Sequence, residues 1–66
     1  MREYRHPERV TEGQLLWLEL EEFPDRPRIV VRVFSVQGLR VEVYALGGDD
    51  TLIRVDRTRL FEEVPR

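Results

Sequence analysis

Side chains able to do chemistry are sparse in this chain, and arginine dominates them. All eleven basic residues are Arg; there is one histidine, His6, one serine, Ser35, and no cysteine. A Ser–His nucleophile would require His6, near the start, to meet Ser35 in the middle of the sequence. Asp49-Asp50 follows Gly47-Gly48, the composition of a turn, and lacks the third spaced ligand of a calcium loop. Glu19, Glu21, Glu62 and Glu63 would gather if the first and last strands paired, but an open strand face makes them solvated surface rather than an acid–base pair. The expectation is a protein that is not an enzyme and has no cofactor, no metal and no small-molecule substrate. Arginine beside aromatic rings is the pattern that does recur. Arg28, Arg32, Arg40 and Arg54 bracket Phe34 and Tyr44, and guanidinium with a stacking ring is how small barrels hold single-stranded nucleic acid.

The element that must position these residues runs from 28 to 46, RIVVRVFSVQGLRVEVYAL, and reads as a β-hairpin. A two-residue loop at Gln37-Gly38 would need positive φ at both, which Gln resists. A three-residue loop, Val36-Gln37-Gly38, is expected instead: a type I turn with Gly38 in the left-handed region. Ser35 then faces Leu39, Val33 faces Val41, Val31 faces Val43 and Ile29 faces Ala45 on an apolar side. The other side carries Phe34 with Arg40, Arg32 with Glu42, Val30 with Tyr44 and Arg28 with Leu46. After a glycine- and aspartate-rich loop at 46–50, residues 51–55 add a strand. It sets Val43 opposite Ile53 and Val41 opposite Val55 inside, Glu42 opposite Arg54 and Tyr44 opposite Leu52 outside. Glu42 is therefore expected at the centre of a row Arg32–Glu42–Arg54.

Before the hairpin, residues 1–12 form a charged arm, either mobile or laid across the barrel with Tyr4 and Val10 as anchors. Gly13 opens a first strand, 14 to about 22, with Leu16, Leu18 and Leu20 facing the core and Leu15 and Trp17 facing out. Pro24 and Pro27 exclude a central strand between them. After the meander, Asp56 caps a single helical turn with Leu60 tucked beneath, and 61–64 is a short last strand. The domain organisation is thus an arm at 1–12 and one barrel at 13–66. The fold class is all-β: a five-stranded, SH3-like, partly open barrel with a one-turn 3-10 helix before the last strand.

The residues 13–17, GQLLW, followed by Phe23-Pro24-Asp25-Arg26-Pro27, resemble the G-x-L-V-W…Y-P-x-W-P opening of PWWP domains, members of the Tudor-like royal family. Val41 to Tyr44 followed by Gly47, and Leu60-Phe61, are similar to that family's later segments. The resemblance implies a Tudor-like barrel over roughly residues 13–64. It also implies a methyl-lysine cage, but Arg26 stands where the family's cage Trp would be, a cation where the ligand is a cation. Tyr44 alone is offered from the strand 41–46, so a methyl-lysine reader is not expected.

Sixty-six residues with 36% charged side chains and net charge −2 make a single small domain, and the charge balance argues against indiscriminate polyanion binding. No apolar run approaches the ~18 residues of a membrane span, and Met1-Arg2-Glu3 does not open a signal peptide. The expected setting is a complete cytoplasmic protein with no membrane partner. Arg-only basic residues with no Asn or Cys also suit a thermophile. The outward apolar residues Leu15, Trp17, Val30, Tyr44 and Leu52 form the candidate protein interface, since contiguous exposed apolar surface marks contact sites. Trp17 and Leu15 are expected in a contact with a second molecule, in the form of a symmetric homodimer. The alternative is an RNA- or single-stranded-DNA-binding face built from Arg28, Arg32, Phe34, Arg40, Tyr44 and Arg54.

Overall fold

The computed structural model describes residues 2–65. Six antiparallel strands form one curled, open sheet: β1 (Arg2–Arg5), β2 (Leu15–Glu19), β3 (Arg28–Gln37), β4 (Arg40–Ala45), β5 (Ile53–Asp56) and β6 (Leu60–Pro65), in the order β1-β6-β2-β3-β4-β5. One 3-10 turn, Arg57–Arg59, separates β5 from β6. The concave face holds the core of Leu16, Leu18, Val31, Val33, Val41, Val43, Val55 and Leu60, each at most 3% exposed. Alternation places them there: on β2, β3 and β4 every second residue is a branched aliphatic, and these all point to one side. Leu20 packs against this core from just beyond the end of β2, which is shorter than the expected 14–22.

The hairpin register differs from the expected one. Gln37 pairs with Arg40, so the loop is the two residues Gly38-Leu39 rather than Val36-Gln37-Gly38. Gly38 does have positive φ, +64°, and Leu39 does not, which is the II′ pattern with glycine at the first central position. The chain then pairs Val36 with Val41 and Ser35 with Glu42, skips Phe34, and resumes at Val33 with Val43, Arg32 with Tyr44 and Val31 with Ala45. Phe34 is a β-bulge, the extra residue that lets two residues of β3 oppose one of β4. Its physical cause lies in the spacing of the valines. Val33 and Val36 are three apart and cannot share a face of a regular strand, but the bulge shifts the parity and turns both inward. The expected Arg32–Glu42–Arg54 row is therefore broken: Arg32 lies beside Tyr44, and Glu42 has Ser35 on one side and Arg54 on the other.

The β4–β5 register is as expected, with Val41 opposite Val55, Glu42 opposite Arg54 and Val43 opposite Ile53. Ile53 remains 38% exposed at the sheet's edge, and the connection from β4 spans 46–52, longer than the expected 46–50. Asp56 caps the 3-10 turn as its sequence predicts: its Oδ1 accepts 2.9 Å hydrogen bonds from the Thr58 backbone N–H and hydroxyl. Those bonds, with Arg40 nearby, hold its carboxyl below the usual range. Both arginines of the turn act as staples. The Arg59 guanidinium donates to the Glu19 carbonyl and to Glu22, and Arg57 donates to the Glu8 carbonyl at 2.7 Å. The arm's residues 2–5 form β1, which pairs with β6 from Arg2 opposite Pro65 to Arg5 opposite Glu62.

Candidate functional site

The convex face of the sheet carries every residue singled out as a candidate site, and the structure sorts them into two groups. At the β1–β6–β2 end, Trp17 pairs with Phe61 on one side and Val30 on the other. Tyr4 of β1 stands edge-on to Trp17, with centroids 5.7 Å apart at 85°. Arg28 lies over the rings of both Tyr4, at 4.9 Å, and Phe61, at 5.0 Å, and Glu19 approaches its guanidinium at 4.0 Å. His6 stacks on the same Phe61 at 4.6 Å. Trp17 and Val30 are half-buried, Tyr4 of β1 covers part of the Trp17 ring, and Arg28 is drawn into this cluster. Tyr4 supplies part of the cover of Trp17 from within the chain, while Leu15 beside it stays exposed.

At the β3–β4–β5 end the surface is open. The row Leu15–Arg32–Tyr44 crosses three strands, and Leu15 is 51% exposed. The bulge throws Phe34 onto this face with 54% exposure. Phe34, Tyr44, Leu52 and Asp50 line an open pocket of about 310 Å³. Among the described residues neither Arg32 nor Asp50 has an ion-pair partner. Arg54 does: its guanidinium is 3.8 Å from Glu42, whose other oxygen accepts a 2.6 Å bond from the Ser35 hydroxyl. Arg40 and Arg54 line a second, smaller hollow of about 160 Å³ with Val55 and Asp56.

The two candidate sets therefore merge. Leu15, Tyr44 and Leu52 from the apolar set, and Arg32 and Phe34 from the arginine–aromatic set, make one patch. Trp17 and Arg28 belong to the cluster around Tyr4 and Phe61, with Val30 beside Trp17. Sequence reasoning overlooked Asp50 as a pocket wall and Phe61 as a ring in the cluster. The signal for Phe61 was its place two residues from Glu63 on a strand alternating with buried Leu60. His6 and Ser35 are not brought together: His6 Nδ1 is 3.1 Å from the Leu60 carbonyl oxygen, while Ser35 is bonded to Glu42. The four glutamates are also dispersed, with Glu19 beside Arg26 and Arg28 and Glu62 paired with Arg5. Among the described residues no three His, Asp or Glu side chains converge as a metal would require, and no helix is long and apolar enough to cross a membrane.

Compared with protein-family models, with curated proteins and with solved structures, the chain matches none.

Proposed function

We propose that this chain is a non-enzymatic interaction module, an SH3-like barrel of Tudor-like kind acting in the cytoplasm, that binds a protein through the convex face of β3, β4 and β5. One observation carries the reading: the pocket of Phe34, Tyr44, Leu52 and Asp50, open to solvent and flanked by exposed Leu15 and uncompensated Arg32. A bulge that points an aromatic side chain outward beside a second ring is a device for contact, since solvent gives it nothing to pack on. The barrel assignment is supported by the curled antiparallel sheet and by the single 3-10 turn ahead of the last strand. The Tudor-like part rests on the residues quoted from 13–17, 23–27 and 41–61.

Single-stranded nucleic acid is the second reading, favoured by Arg32 next to Tyr44 and Phe34. It is the weaker one. Arg28 is occupied by Tyr4 and Phe61, Arg54 by Glu42, and Asp50 adds a negative charge to the pocket itself.

A photo-crosslinking residue at position 34, expressed in the native cell, separates these readings. The protein reading expects a discrete adduct that survives nuclease and disappears with Leu52→Arg. A nuclease-sensitive adduct would establish the second reading instead, and no adduct at all would refute both.

A further inference from the structure

At the β1 end of the convex face, two rings, a guanidinium and a carboxylate satisfy one another: Tyr4, Phe61, Arg28 and Glu19. At the β5 end the pocket offers two rings and a carboxylate, Phe34, Tyr44 and Asp50, with no guanidinium in place. On that face Arg32, one strand away from Tyr44, carries a guanidinium without an acidic partner among the described residues. Within one chain the two lie side by side on a sheet, so the face presents an unfilled receptor and an unused cation together.

We infer that the occupant of this pocket is Arg32 of a second copy of the chain, in a reciprocal two-fold dimer. This deepens the protein-binding reading and rests on it. The geometry meets the requirement of an isologous contact, in which residue i touches j and j touches i. Tyr44 on β4 lies midway between Arg32 on β3 and the β5 side, where Leu52 and Asp50 sit. A two-fold axis lying in the interface along β4 therefore carries each Arg32 across to the other copy's Asp50. Tyr44 then meets Tyr44 on the axis, where the two convex faces touch. Charge complementarity is built in, because each copy brings one uncompensated positive and one uncompensated negative group to the same contact.

The test uses two single variants and their mixture. Arg32→Asp places two acids against each other in the homodimer, and Asp50→Arg places two guanidinium groups there. Sedimentation equilibrium of the wild type should show a reversible dimer. Each variant alone should raise the dissociation constant at least tenfold while keeping wild-type far-UV circular dichroism. The equimolar mixture should recover dimer. In the mixed pair one contact is the native Arg32 with Asp50, and the other is the same contact with its charges exchanged. A monomeric wild type, a dimer insensitive to both variants, or a mixture that stays monomeric each overturns the inference. A monomeric wild type whose position-34 crosslink joins a different protein overturns this inference alone. A monomer with no crosslink removes the protein-binding reading as well.

Discussion

Replacing Tyr4 by alanine tests whether β1 is the lid over Trp17. Tyr4 is 39% exposed, so a little over half of its side chain is covered, against Trp17 on one side and the Arg28 guanidinium on the other. An aromatic side chain of ~200 Å² covered to that extent loses roughly 3 kcal/mol at about 25 cal/mol per Å², and less against a compact denatured chain. The edge-on ring pair adds about 0.5–1.5 kcal/mol to this. Because alanine keeps the Cβ and the β1–β6 backbone ladder, the expected loss is about 2–3 kcal/mol. A domain of this length holds only roughly 3–10 kcal/mol in total, so the effect is large. Urea unfolding followed through Trp17, the sole tryptophan, should show a midpoint lower by about 2 M for a slope near 1 kcal/mol per M. Native emission should also shift to the red. Tyr4→Phe keeps the ring and should behave as wild type. If Tyr4→Ala unfolds at the wild-type midpoint with unchanged emission, Trp17 is covered by something else and β1 contributes nothing to its shelter.

Gly38→Val should cost more than ~1 kcal/mol in the same assay, because a β-branched residue resists positive φ. The space around that position is empty, so the whole cost is backbone conformation and Gly38→Asn should recover much of it. Asp56 has its carboxyl held down first by the Thr58 backbone N–H, then by the Thr58 hydroxyl. A depressed folded value means that its contribution is present above the ordinary carboxylate range and is lost as pH falls through the folded value. Asp56→Asn should therefore lower the melting temperature at neutral pH and narrow the gap to wild type in acid. Glu42→Gln weakens the contact with Arg54 but leaves Ser35 a carbonyl acceptor, so its effect on melting should be small and should shrink further with added salt.

The core was legible in the sequence because alternation is local: Leu16, Leu18, Val31, Val33, Val41, Val43 and Val55 each follow from a period of two. The capped turn was legible for the same reason, since Asp56, Thr58 and Leu60 lie within five positions. The bulge was not read, although Val36 three residues after Val33 was its trace. Gly38 suited either loop length, and an unbroken strand already gave an apolar face on paper. β1 was hidden because REYR has no apolar periodicity. It becomes a strand only through β6, nearly sixty residues away, and that partnership has no local signature. The candidate site suffered most from the register. A two-residue shift in the pairing left Arg32 beside Tyr44 instead of Glu42, which changed a neutralised ladder into a free guanidinium next to a ring.

The pairing of β1 with β6 sets an order of events during synthesis. Residues 2–5 leave the ribosome before the rest of the sheet, but the strand they join is the last to be made. β2, β3, β4 and β5 follow one another closely enough to pair as they emerge, with β3 and β4 joined by a two-residue loop. Trp17 must wait, because Phe61 beside it and Tyr4 above it both depend on the arrival of β6. A chain interrupted before residue 60 would lose its first strand along with its last. It would present an indole without the Tyr4 and Phe61 rings that flank it in the folded sheet.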